Sequence, residues 1–397
     1  MSSAFDAPGI DEHPDVSDRA LQALVPGTLH FNVAGSGPTF PVAHAAAHAF
    51  RTWLNGVGMF SHVGYDAYNA ALDAARRDIA AFVGDPGGAD RIALAISATD
   101  GLNALVAGLR IPAGSLIATT AEEHGSALLP LYRRRDRGDR LRVVRYVDDA
   151  SFLGSIAAAF ADGARALVVS LVSCKTGKVL PVRRAADLAR RAGAVTIVDC
   201  AQALGQIAVD VHELGADAVV TLGYKWMHGP LGAAAFWVRD PDLFAVERLG
   251  WRSQTSLDLA GGYALKAEAA RFETGTVDAA AFVGVRQALA VHRELGPAVG
   301  ERIRALRAGL VARLREMPFD LLSRPEDPTG IVVVAPRGGE AAGIVARMWT
   351  DEGIVVKHLQ EAEGIPDGIR ISFWALHRPE HVDRLADALA RQARVPA

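Results

Sequence analysis

Six short runs of apolar, largely β-branched residues recur through the middle of the chain, at 115–120, 140–147, 166–173, 194–201, 218–223 and 232–239. Each is apolar on both faces, so each reads as a strand covered from both sides. Helical patterns such as that at 182–192 separate them. Strands alternating with helices predict a mainly parallel sheet between two helical layers. Ligands in such sheets sit beyond the carboxyl ends of the strands. The pattern changes after about residue 250. A predicted amphipathic helix over 299–316 places Ile303, Leu306, Leu310 and Leu314 on one face. A strand at 331–335, a helix at 340–350, a strand at 369–373 and a last helix at 379–394 follow. The expected organisation is an N-terminal arm (1–45), with turns at Gly27, Gly35, Gly37 and Pro38. A large α/β domain (46–255) and a smaller α+β domain (256–397) complete it.

The 397 residues, half of them hydrophobic, suffice for a large core and two domains. A net charge of −3 leaves no electrostatic footprint for nucleic acid. Arg133, Arg134 and Arg135 read as a solvated helix end. Two cysteines, Cys174 and Cys200, exclude a disulfide scaffold and a cysteine-rich zinc site. The first thirty residues hold Asp6, Asp11, Glu12 and Asp15 and no apolar stretch, so a signal peptide is not expected. No uncharged apolar run reaches the ~20 residues of a membrane helix. These features together suggest a cytoplasmic protein.

Lysine is scarce: Lys175, Lys178, Lys225, Lys266 and Lys357 are the full set. Lys225 alone follows a predicted strand and precedes an aromatic residue and a Gly-Pro turn. Asp199 ends the apolar run 195–198, 26 residues upstream of Lys225. A reactive amine and a buried carboxylate together suit pyridoxal 5'-phosphate (PLP). Its aldehyde forms a Schiff base with an amine, and its ring nitrogen needs a carboxylate to stay protonated. The plainer alternatives are a surface lysine and an aspartate capping the next turn. Gln202 is placed to donate to the cofactor's phenolate oxygen. Ser97–Gly101 precedes a predicted helix. Free N–H groups at a helix start hold anions, so Ala98 and Thr99 are candidates for a phosphate, against an ordinary N-cap by Thr99 or Asp100. His124 follows a strand and can stack on a ring, with Ala201 on the other side. Arg370, in a later strand, can grip a carboxylate with its guanidinium fork. Thr276 is a further phosphate candidate.

At these residues the chain resembles the class V aminotransferases of fold type I, the group that includes cysteine desulfurases and isopenicillin N epimerase. The likeness runs from Asn32-Val33-Ala34-Gly35 to Arg370. It is carried by Ser97-Ala98-Thr99-Asp100-Gly101, Glu123-His124, Val198-Asp199-Cys200-Ala201-Gln202, Gly223-Tyr224-Lys225-Trp226 and Phe272-Glu273-Thr274-Gly275-Thr276. The resemblance implies a large domain with a seven-stranded, mainly parallel sheet and a small C-terminal domain. It implies bound PLP and a homodimer, in which Thr276 reaches the partner subunit's cofactor. Arg370 matches the family's carboxylate-binding arginine. Three departures stand out. No cysteine occurs between residues 358 and 364, where desulfurases carry a mobile one, which sets a persulfide-forming desulfurase aside. Cys174 replaces the desulfurase asparagine. Tyr224 replaces the usual histidine before the lysine, as in kynureninases. The expected function is C–S cleavage by β-elimination from an S-substituted cysteine. Epimerisation and transamination are alternatives within the family, and a cofactor-free binding protein is a remote one. Asn32–Gly37, residues 60–65 including Tyr65, and Trp251-Arg252 are candidates for shaping the substrate pocket, without assigned roles.

Overall fold

The computed structural model describes residues 28–338, 340–361 and 367–393. Residues 1–27 of the expected arm, Ala362–Gly364 of the loop before the Arg370 strand, and Arg394 at the end of the last predicted helix lie outside them.

The chain enters through β1 (Leu29–His30) and two helices, α1 (Pro41–Val57) and α2 (His62–Phe82). The α/β region then runs β2 (Ile92–Ala95), α3 (Ala98–Gly108), β3 (Leu116–Thr120), α4 (Gly125–Asp136), β4 (Arg140–Val144), α5 (Asp149–Ala161) and β5 (Ala164–Ser170). It continues through α6 (Val182–Arg191), β6 (Val195–Asp199), the single turn α7 (Val211–Leu214), β7 (Ala218–Leu222) and β8 (Ala234–Val238). A seven-stranded sheet results, in the order β2-β8-β7-β6-β5-β3-β4. Only β8 runs against its neighbours.

Strand period 2 explains why the runs looked apolar throughout. Val168, Ile197, Val220 and Phe236 face one core, shared with Leu102 and Leu105 of α3. Leu167, Val198, Val219 and Trp237 face the other. Both faces are dry in β3 and β5 to β8, so no polar alternation survives there. The edge strand β4 departs from the expectation, with Arg140 and Val143 exposed.

Beyond β8 come a hairpin, β9 (Gln254–Leu257) and β10 (Tyr263–Leu265), then α8 (Ala279–Leu295) and α9 (Ala298–Leu314). Helix α8 packs on α1 and α2. The last region holds β11 (Phe319–Leu321), β12 (Ile331–Pro336), α10 (Ala341–Thr350), β13 (Ile354–Val355), β14 (Lys357–Leu359), β15 (Gly368–Ser372) and α11 (Pro379–Gln392). Its antiparallel sheet has the order β11-β12-β15-β14. Lys357 stands opposite Arg370 in the β14–β15 register.

The chain before α1 is stitched to this second sheet. β1 pairs with β13. The Ser372 N–H donates to the Phe31 carbonyl at 2.7 Å. The Arg133–Arg135 run is not wholly solvated as expected. The Arg134 guanidinium donates to Asp139 at 2.6 Å and to the carbonyls of Val106, Ala107 and Leu109, the orphan acceptors at the end of α3. Among the described residues no helix is long and apolar enough to cross a membrane.

Candidate active site

Strand direction brings the chemistry together. β3 ends at Thr120 and leads into Glu122, Glu123 and His124. β5 ends at Ser170, β6 at Asp199, and β7 leads into the Lys225 loop. β2 runs the same way and leads into α3. Their carboxyl ends enclose a cleft with an empty volume of about 530 Å³. Ala98, Thr99, His124, Asp199, Ala201, Gln202, Tyr224 and Lys225 all line it. An outer cleft of about 1060 Å³ adjoins it, sharing His124, Cys174, Gln202, Tyr224 and Lys225, and Arg370 lines that one. Thr276 lines neither and is exposed.

Burial lowers the Lys225 ammonium from its usual range, against the opposing pull of Asp199. Burial also raises the Asp199 carboxyl, although the Ala201 N–H at 2.8 Å and Lys225 both favour its charged form. Desolvation outweighs attraction for both groups, so each charged form gains from a polar or ionic partner placed between them.

His124 is the N-cap of α4. Its Nδ1 accepts from the Ser126 N–H at 3.1 Å, which leaves the proton on Nε2. Ser126 Oγ lies 2.8 Å from His124 Nδ1 and 2.8 Å from Thr99 Oγ1, which ties the starts of α3 and α4 together. Burial first, then Lys225, lowers the His124 pKa, so the ring is neutral. The N-cap of α3 is Ser97, whose Oγ accepts from the Asp100 N–H at 3.1 Å. Neither Thr99 nor Asp100 takes that place. Gln202 accepts from Trp226 Nε1 at 2.8 Å and donates to the Ala34 carbonyl at 3.0 Å, which leaves one amide N–H. Glu123 is buried, and its pKa is pushed up to about 7 despite hydrogen bonds from Thr120 and Ser170.

Arg370 donates to the Cys174 carbonyl at 2.8 Å and to Asn32 Oδ1 at 3.3 Å, while its buried Nε lacks an acceptor. Asn32 thereby gains a place that sequence reasoning flagged without a role. Ser126 was missed, although its position two residues after His124 at a helix start was a usable signal. Lys175 and Lys357 also line the outer cleft. Arg252 lines neither cleft. It donates to buried Glu273, which also binds Arg76 through both carboxylate oxygens. Both cysteines are buried and unpaired, and burial raises both thiol pKa values.

The Lys225 loop is held from outside the sheet. The Gly37 N–H donates to the Tyr224 carbonyl at 2.8 Å, and the Phe40 N–H to the His228 carbonyl at 2.8 Å. His228 adopts φ 55° and donates through Nδ1 to the Pro38 carbonyl at 2.8 Å.

Such a fold, with a desolvated lysine and a buried aspartate meeting at the strand ends, defines an α/β enzyme built for an aldehyde cofactor. The chain belongs to the aminotransferase class-V family, whose profile matches residues 30–385. It is a PLP-dependent enzyme, and the residues present fit that group. The amine has lost charge stabilisation, the acid has one oxygen beyond its Ala201 bond, and the cleft joining them ends at the start of α3. A probable cysteine desulfurase of Methanothermobacter thermautotrophicus is 29% identical over 272 residues, covering 68% of this chain and 67% of that protein. Two solved structures share the fold. One is a lysine-to-alanine mutant of the enzyme C-DES with glycine covalently linked to its PLP (TM-score 0.85, 23% identity, 96% of this chain and 99% of that one). The other is a complex of the cystine C–S lyase C-DES with its product, cysteine persulfide (TM-score 0.82, 22% identity, 94% and 99%). The expectation that set a persulfide-forming desulfurase aside is therefore not borne out. It rested on one loop lacking a cysteine, while the match over two thirds of the chain is to proteins of the desulfurase class.

Proposed function

We propose that this enzyme cleaves the Cβ–S bond of a cysteine derivative by β-elimination. The observation that carries this reading is the pairing of Lys225 and Asp199 in one cleft with Arg370 at its mouth. The bound cofactor supplies an electron-withdrawing ring that takes up the electron pair left when a substrate Cα bond breaks. Lys225 would hold the cofactor and, when its amine is free, would serve as the base for the Cα proton. Burial lowers its pKa, which favours the uncharged amine that this task needs. Asp199 would keep the ring nitrogen protonated. His124 would face one side of the ring and Ala201 the other. Ala98, Thr99 and Tyr224 would hold the phosphate, and Gln202 would offer its remaining N–H to the phenolate oxygen. Arg370, aimed by Asn32 and the Cys174 carbonyl, grips the substrate α-carboxylate.

The balance needs no oxidant. The C–S bond breaks, sulfur leaves with the electron pair and gains a proton, and the three-carbon remainder takes up water to give pyruvate and ammonia. We propose further that the working unit is a cytoplasmic homodimer in which Thr276 reaches the partner's phosphate. The exposed apolar side chains of Phe60, Trp251 and Leu259 support a covered surface.

Incubation of the holoenzyme with cystine and with thioether amino acids, assaying pyruvate, thiol and keto acid, tests the reaction. Pyruvate is expected in equal amount with the released thiol from a thioether, and with cysteine persulfide from cystine. A new keto acid carrying the intact side chain would assign a transaminase instead.

A further inference from the structure

The outer cleft carries more positive charge than the proposed reaction uses. Under the function proposed above, on which this inference rests, Lys225 is committed to the cofactor and Arg370 to the α-carboxylate. Lys175 and Lys357 line the same cleft. Lys357 stands opposite Arg370 across β14 and β15, so both side chains leave the same face of the sheet. Like charges in that position destabilise paired strands. Lys175 is half-buried, and its Nζ donates to the Ala121 carbonyl at 2.6 Å, which leaves two N–H donors.

Among the described residues no acid answers these cations. Among the described residues neither lysine nor Arg370 forms an ion pair. Glu123, the one acid lining this cleft, points its oxygens back at Thr120 and Ser170. Glu361, four residues past Lys357, is exposed and forms none either. The buried Arg370 Nε has no acceptor. Leu359 and Cys174 add an apolar stretch beside the cations, suited to a thioether.

We propose that Lys175 and Lys357 form a second anion site, and that the preferred substrate is a cysteine whose S-substituent carries a negative charge. An anion there relieves the Lys357–Arg370 repulsion and forms charge-assisted hydrogen bonds, which are shorter and stronger than neutral ones.

The test compares S-carboxymethyl-L-cysteine with its uncharged isostere, S-carbamoylmethyl-L-cysteine, on the holoenzyme. The charged compound is expected to be favoured about tenfold or more in kcat/KM and, by titration calorimetry, in affinity. Lys175→Gln and Lys357→Gln should each shrink that ratio, and the double variant should bring it close to one. Equal or better binding of the isostere overturns the proposal, as does an unchanged ratio in the double variant. The two readings fail separately. Preferential binding without pyruvate sinks the β-elimination and leaves the anion site standing. Pyruvate from both compounds without preference does the reverse.

Discussion

Lys225 and Asp199 attract each other, yet burial dominates both titrations. Removing either partner takes away the attraction that opposes the other's desolvation, and leaves Asp199 with the Ala201 N–H as its remaining favourable contact. Lys225→Ala should abolish the visible absorbance of the lysine-bound cofactor and reduce turnover by several orders of magnitude. A spectrum unchanged by that substitution would assign the cofactor linkage to another lysine. At this scale much of the site was legible, because Asp199 at the end of a strand and Lys225 before a Gly-Pro turn are chemically unusual placements. The orientation of side chains was not. Nothing in the sequence said that Arg252 would turn to Glu273, or that Asn32 would meet Arg370 from 338 positions away.

The strands of the α/β region, apart from the exposed edge strand β4, were readable as elements because both their faces are buried, and the observed limits differ from the expected ones by at most three residues. β2 escaped notice. Its four residues, Ile92–Ala95, include two alanines and carry no turn signal beyond the glycines before them. The contact between the arm and the Lys225 loop was equally invisible, since it runs through backbone groups that every residue has. It has a sharp steric consequence. A Cβ on Gly37 would lie 2.1 Å from the Lys225 carbonyl oxygen, and one on Gly108 would lie 2.3 Å from the Ala245 carbonyl oxygen. Both Gly→Ala variants should lose about 1–3 kcal/mol of stability, as overpacking does. Gly37→Ala should also weaken PLP affinity about tenfold, measured by equilibrium dialysis, while Gly108→Ala should leave it near the wild-type value. Equal PLP affinities in the two variants would mean that the arm does not position the lysine.

The whole molecule carries a pH dependence fixed by its interior. His228, His292 and His377 are buried around Trp374, with ring centroids of the first two 4.6 and 5.0 Å from it. Burial lowers them to about 3, 4 and 4 respectively. Unfolding restores a pKa near 6.5, so the unfolded chain binds more protons between those limits. Stability must then fall as pH drops below about 6.5, by roughly 1 kcal/mol per imidazole per pH unit. Glu123, raised to about 7, acts in the opposite sense between about 4.5 and 7, and Asp199 shares that sign, but three histidines outweigh them. Urea midpoints measured between pH 7 and pH 5 should decline, and a His377→Asn variant should decline less steeply. A flat profile for the wild-type protein would mean that water reaches these rings.

One strand of chain, residues 31–37, touches nearly everything that matters. Phe31 meets Ser372, Asn32 meets Arg370, Ala34 meets Gln202 and Gly37 meets Tyr224. The segment works as a drawstring threaded through both sheets. Cutting it at a single peptide bond would slacken the grip on the substrate carboxylate and on the lysine loop together, so the two ends of the catalytic crevice cannot loosen independently.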